Sequence, residues 1–262
     1  MCRIIVASGK IDVPKIIESM IYMAKDENSL HEMNEDVPGS WQHPDGWGIA
    51  YTDKKGNFAI KKSAKAIFED PEAQKLHTLK TDFLILHVRR KAGSEIALGN
   101  THPFETDHSS LGTCIFCHNG CIADEISFNP IFKPKGKTDS ERLFYSILSD
   151  IQENKDTKIA AVIRSNLQKY NKTKGSNIVL ATKEKTYISM RKNEVPKYYG
   201  MLLATGEDFI MVSSEKLKTF PDIYWKSVLP EEVIIIQNKT AQFSISKEKM
   251  PILRKLVALI QN

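Results

Sequence analysis

Four places in this sequence carry residue types whose chemistries complement one another. Cys2 stands directly after the initiating methionine. Removal of Met1, expected ahead of so small a side chain, leaves a thiol and a free α-amine on one residue. The thiol can act as a nucleophile. The α-amine, with an ordinary pKa of about 7.7–8.0, can act as its general base. His118-Asn119-Gly120 follows an apolar run, where an Asn amide and a Gly N–H can form a two-donor oxyanion hole. The same Asn-Gly pair is also an ordinary hairpin turn signal. Arg89 closes the run Phe83-Leu84-Ile85-Leu86-His87-Val88. Its guanidinium can grip a carboxylate bidentately; beside Arg90 and Lys91 it also reads as a strand end at the surface. Thr138-Asp139-Ser140-Glu141 is a good helix N-cap, and an acidic group there could also bind an ammonium. Taken together, these groups fit an α-amino acid that carries a side-chain amide, of which glutamine is the simplest.

The other three cysteines lie in Cys114-Ile115-Phe116-Cys117-His118-Asn119-Gly120-Cys121. Haem attachment through Cys-x-x-Cys-His requires an exported chain. A zinc site could draw on Cys114, Cys117, His118 and Cys121, which would make this a metal-binding protein without catalysis. A buried strand over Thr113 to His118 uses cysteine as a small hydrophobe. Alternation along that strand sends Cys114 and Cys117 to opposite faces, against chelation by both.

The elements that must position these residues can be read from periodicity. Cys2 to Ser8 is a first strand, Val13 to Lys25 a helix, and Asp26 to Gln42 a long polar loop that could act as a lid. Gly46 to Tyr51 and Phe58 to Lys62 are strands around a turn; Phe68 to Lys80 reads as helical. Asp82 to Arg89 and Gly112 to His118 have the continuous apolar character of strands covered on both faces. Helices are expected over Ser140 to Gln152 and Lys158 to Tyr170. Short strands follow over Asn177 to Thr182, Thr186 to Arg191, Gly200 to Thr205, Phe209 to Ser213 and Glu232 to Gln237. Met250 to Ile260 reads as a closing helix. Two sets of strands with helices between them predict two packed sheets with outer helices in one domain, 1–262.

The 262 residues are 41% hydrophobic, enough for a sizeable core. Lys+Arg 37 against Asp+Glu 32 gives a net charge of +5. The basic residues are scattered, which argues against a nucleic-acid partner. No run approaches the ~18 apolar residues of a membrane span, and Ile4 to Ala7 is too short for a signal-peptide core. A cytoplasmic protein with reduced cysteines is expected.

As a set, the motifs resemble the class II glutamine amidotransferases of the N-terminal-nucleophile hydrolase superfamily, nearest to stand-alone members. The resemblance rests on Met1-Cys2-Arg3, His43-Pro44-Asp45-Gly46-Trp47-Gly48-Ile49-Ala50-Tyr51 and His87-Val88-Arg89-Arg90. It continues through Asn100-Thr101-His102-Pro103-Phe104, Phe116-Cys117-His118-Asn119-Gly120 and Thr138-Asp139-Ser140-Glu141, and more weakly through Val212-Ser213-Ser214-Glu215-Lys216-Leu217 with Trp225 beyond it. It is strongest over residues 1–145 and fainter to about 236. It implies an α+β fold, the four-layer α-β-β-α sandwich. It also implies a thioester on Cys2, an oxyanion hole from Asn119 and Gly120, Arg89 on the substrate carboxylate and Asp139 on its ammonium. Asp45 to Gly48 would be a structural turn under the site, and His87 and His102 buried, hydrogen-bonded histidines. No cofactor, metal or ATP chemistry is implied. The substrate would be glutamine or another γ-glutamyl amide, with a separate synthase as a potential acceptor of the ammonia. One departure stands out: the family's Ala-Thr after the arginine is Lys91-Ala92 here, so a hydroxyl is missing at Ala92, with Ser94 nearby.

Overall fold

The computed structural model describes residues 2–28, 40–154, 157–191 and 196–247. β1 (Cys2–Gly9) is buried along its whole length. Its Ile4-Ile5-Val6 centre is β-branched, and the χ1 stiffness of such side chains suits a pleated surface packed on both faces. It runs antiparallel between β4 (Phe83–Arg89), itself fully buried, and β10 (Phe209–Ser213). With β2 (Trp47–Thr52), β3 (Phe58–Ser63), β9 (Leu202–Thr205) and β11 (Lys226–Ser227), the first sheet has the order β11-β9-β10-β1-β4-β2-β3. The second sheet contains β5 (Phe104–His108), β6 (Gly112–Ile122), β7 (Thr173–Ala181), β8 (Lys185–Met190), β12 (Val233–Gln237) and β13 (Phe243–Ser246), in the order β13-β12-β8-β7-β6-β5.

Alternation decides what each strand contributes to each layer. On β1, Ile4 and Val6 join Ile85 of β4 and Ile115, Cys117, Val179 and Ala181 of the other sheet in the core between the sheets. Ile5 and Ala7 point the other way, with Leu84, Leu86 and Val88, onto helix α1 (Val13–Lys25). On the second sheet Cys114, Phe116, Ile178 and Leu180 face the outer helices, chiefly α3 (Asp139–Glu153) and α4 (Ile159–Lys169). The result is the α-β-β-α sandwich. Each fully buried Ile, Leu or Phe in it contributes roughly 1.5–3 kcal/mol of transfer free energy.

The helix expected over Phe68 to Lys80 is only one turn, α2 (Pro71–Gln74), running into a 3₁₀ turn over Lys75–Thr78. Pro71 cannot sit inside a helix, and the Asp70 carboxylate accepts from Glu72 N, so the element starts there. Among the described residues, helix α5 (Pro196–Tyr199) and strands β5, β11 and β13 were not predicted from sequence. The closing helix at 250–260 and most of the 26–42 loop lie outside the described residues. No helix among the described residues is long and apolar enough to cross a membrane.

Three histidines occupy the first sheet and the loops against it. His43, His87 and His102 are each at most 3% exposed. The His87 and His102 rings lie 4.2 Å apart, tilted by 36°. They are buried as expected; among the described residues no ring nitrogen of the three has a partner of good geometry, and His87 alone has a backbone group, that of His118, within reach. Burial therefore dominates their titration. It pushes His87 down to about 3, and His43 and His102 well below the ordinary value. Between about pH 6.5 and those lower values the unfolded chain binds protons that the fold refuses. Stability should be whole above that window and fall with acid, by about 1.4 kcal/mol per pH unit for each histidine that must charge. Urea unfolding at pH 7, 6 and 5 measures the slope, and His87→Leu should flatten it by close to one proton. Stability that stays level or rises as pH falls over this range would contradict the burial argument.

Candidate active site

Cys2 opens β1 and is 8% exposed. Its backbone nitrogen donates to Asn119 Oδ1 at 2.7 Å, across the gap between the two sheets. Asn119 faces that gap because Ile115 and Cys117, four and two residues earlier on β6, do so. With Oδ1 accepting, the Nδ2 end of the amide is left as donor. It is buried and has no partner among the described residues.

The alternative of an ordinary Asn-Gly hairpin after a strand ending at His118 is not what forms. β6 continues to Ile122, paired with β7, and the register shifts between Asn119 and Gly120. Asn119 pairs with Asn177 and Gly120 with Gly175, so Ser176 is an extra, bulged residue at φ 145°. A Cβ on Gly120 would lie 2.7 Å from His118 Nε2 and 2.9 Å from Ser176 Cα, so the bulge closes only over a glycine. His118, on the helix-facing side, fastens it: Nδ1 lies 2.9 Å from Ser140 Oγ at the start of α3 and Nε2 3.1 Å from Ser176 Oγ. Burial holds the His118 pKa down to about 4 against the pull of Asp139, so near neutral pH it is an uncharged link. Non-glycine positive φ at such a place is stored strain of the kind found at functional sites.

Arg89 is the direct β4 partner of Cys2 and is 3% exposed, not a surface strand end. Nη1 donates to Asp45 O at 3.3 Å, and Nη2 to Ser94 Oγ at 2.6 Å and Ser94 O at 3.3 Å. Ser94 thus places a hydroxyl on the guanidinium, despite the alanine at 92. Asp45 and Gly46 form the structural turn: Arg89 N donates to Gly46 O, Asp45 N to Arg89 O, and Lys91 N to Asp45 Oδ2 at 2.8 Å.

The capping role at α3 falls to Thr138, whose hydroxyl accepts from Glu141 N at 3.2 Å. Asp139, half-buried, instead accepts from Ile122 N through Oδ2 at 2.6 Å, tying α3 to the end of β6. The structure therefore gathers Cys2, Arg89, Asn119 and Gly120 at one end of the paired sheets. Asp139 stands beside them at the end of β6. Cys114 and Cys117 face opposite sides of β6, and no group of three or more metal-binding side chains is assembled among the described residues.

Sequence reasoning missed Arg3. It alternates to the opposite face from Cys2 and is 1% exposed, pairing with Glu215 at 2.5 Å and lying 4.1 Å from the Tyr198 ring centroid. Its Nη1 donates to Cys2 O, which steadies the first residue of β1. The one available signal was Glu215 within the Ser213-Ser214-Glu215 string. Tyr199 closes the neighbouring wall, its ring against the space that a Cβ on Gly175 would fill.

Comparison with known proteins gives the fold and the family. YafJ of Escherichia coli (strain K12), a proposed glutamine amidotransferase, is 31% identical over 118 residues, 44% of this chain and 46% of that protein. The match thus spans about half the length of that relative. Among solved structures, glutamine phosphoribosylpyrophosphate amidotransferase from B. subtilis superposes with a TM-score of 0.63 at 16% identity, over 95% of this chain and 50% of that one. A glutamine aminotransferase class-II domain protein from Silicibacter pomeroyi superposes with a TM-score of 0.56 at 17% identity, over 93% of this chain and 98% of that one. These two likenesses are of fold. A model described as class-II glutamine amidotransferases matches residues 33–196, a span that holds Arg89, Asn119, Gly120 and Asp139 and begins after Cys2. That match covers more than half of the 262 residues, and the chain belongs to the class II glutamine amidotransferases.

Proposed function

We propose that this chain hydrolyses the side-chain amide of glutamine through a thioester on Cys2. The observation that carries the reading is the Cys2 N to Asn119 Oδ1 hydrogen bond, with a buried Nδ2 at the other end of the same amide that has no partner among the described residues. In the full chain that nitrogen is a peptide N–H. Once Met1 is removed it is an α-amine that can keep the same hydrogen bond while its lone pair turns to the thiol. The amine takes the thiol proton as Sγ attacks the amide carbon. Asn119 Nδ2 and Gly120 N–H receive the developing oxyanion, and the amine returns the proton to the departing ammonia. Water then cleaves the thioester.

Arg89 would hold the substrate carboxylate with donors that Asp45 O and Ser94 leave free, and Asp139 the ammonium. Residues 1–262 would form one catalytic unit, acting in the cytoplasm, where its four free cysteines stay reduced. The ammonia would pass to water or to a separate synthase.

Ammonia release from glutamine, asparagine and several γ-glutamyl amides, measured side by side, tests the reading. Glutamine should be cleaved by wild type and not by Cys2→Ala; full activity in the alanine variant refutes the nucleophile. A preference for a γ-glutamyl conjugate over glutamine would move the activity to a γ-glutamyl amidase of the same mechanism.

Asn119→Ala should lower kcat by ~10²–10³ with a much smaller change in KM, as loss of one oxyanion donor does. A change in KM alone would leave Asn119 with binding only.

Arg89→Lys keeps the charge and removes the planar fork. A lost charge-assisted hydrogen bond of about 1.5–3 kcal/mol predicts a ten- to hundredfold drop in kcat/KM. The variant should also discriminate less than wild type against glutamine amidated at its α-carboxylate. Equal discrimination would remove the carboxylate from Arg89.

A further inference from the structure

Asn177 is the direct β7 partner of Asn119 and is fully buried. Val179 and Ala181, further along the same face of β7, lie in the core between the sheets, so Asn177 also faces the gap that Cys2 borders. Directly opposed residues of an antiparallel pair stand about 4.5–5.5 Å apart at Cβ. The two amides are therefore side by side, and one of them is bonded to Cys2 N. Neither Nδ2 nor Oδ1 of Asn177 has a partner among the described residues, and Asn119 Nδ2 has none either. On the far side of Asn177 the ladder partner is Met190, a buried apolar residue.

An unpaired buried amide group costs about 1–3 kcal/mol, and native structures leave few of them. Three such atoms side by side at the nucleophile mark a place where something polar sits during turnover. The oxyanion needs donors alone, which Asn119 Nδ2 and Gly120 N–H offer. Asn177 offers a donor and an acceptor on one rigid amide. The participant that uses both, and enters after ammonia has left, is water.

We propose that Asn177 is the positioning residue for the water that hydrolyses the thioester; this rests on the Cys2 mechanism above. Oδ1 accepts from the O–H that stays on the water, and Nδ2 donates to the lone pair not used in attack. The water oxygen bonds to the acyl carbon and its other proton passes to the Cys2 α-amine. The tetrahedral adduct collapses with cleavage of C–S, and the ammonium returns that proton to Sγ. Thioester and water thus become a free carboxylic acid and the thiol.

The test separates the two half-reactions in Asn177→Leu, a replacement of similar size without polar atoms. Rapid mixing with glutamine should give a burst of ammonia close to one equivalent at the wild-type rate. A steady state slower by on the order of 10²-fold should follow, as for a misplaced reactant. Intact-mass measurement should find acyl-enzyme accumulating on the variant and not on wild type. Hydroxylamine, a stronger nucleophile that needs no seat, should restore turnover as the hydroxamate. If the leucine variant does not fold, Asn177→Val, apolar and β-branched like its strand neighbours, should show the same partition.

Wild-type steady-state turnover without a burst, in a folded variant, overturns the proposal. So does a burst that slows in step with turnover, which would put Asn177 in acylation. Absence of ammonia release from wild type itself would instead remove the Cys2 mechanism, and this proposal with it.

Discussion

One carboxamide oxygen bridges the two sheets of the sandwich: Asn119 Oδ1 accepts from the nitrogen of Cys2 at 2.7 Å, between residues 117 apart in sequence. The bond demands that the first residue of the central strand of one sheet and an interior residue of β6 in the other arrive at the same point. β1 is held for this by antiparallel ladders on both sides, and by the Arg3–Glu215 pair packed under its first turn of chain. β6 is held by the bulge at Ser176 of β7, which His118 locks to α3. The Arg3 and His118 fixtures lie on faces away from the gap, and the gap keeps polar groups without partners among the described residues.

The same division between holding and acting recurs around Arg89. Asp45 and Gly46 pin its backbone, and Ser94 and the Asp45 carbonyl hold its guanidinium while leaving part of the fork uncommitted. Ser94, two residues past the alanine at 92, brings a hydroxyl onto the guanidinium by the course of the loop. A motif departure of this kind is read correctly only when the distance to the guanidinium is known.

Where burial alone decides an element, the sequence already specified it. β1, α1, β4 and α3 lie within a residue or two of their expected bounds, because unbroken apolar runs and 3.6-residue periodicity are local signals. Cys2, Arg89, Asn119 and Gly120 were legible as types suited to one reaction, and the fold brings them to one end of the sheets. The course of β6 through Asn119-Gly120 was not legible. A turn and a bulge use the same dipeptide, and the choice is made by β7, more than 50 residues later. Arg3 carries no local signal of its buried role, which Glu215 and Tyr198, folded over it, supply. Asn177 carries no local pattern at all; only its register opposite Asn119 gives it meaning. The burial of His43, His87 and His102 likewise follows from how the loops close over β4, which no spacing encodes.

The most direct measurement of the central claim is where a glutamine-shaped electrophile becomes attached. The protein, made in cells, is treated with a chloroketone analogue of glutamine and mapped by peptide mass. The account predicts a chain that starts at Cys2, a single adduct on that residue, and no adduct at the buried Cys114 or Cys117. Active protein that retains Met1, or inactivation by an adduct elsewhere with Cys2 unmodified, would contradict it.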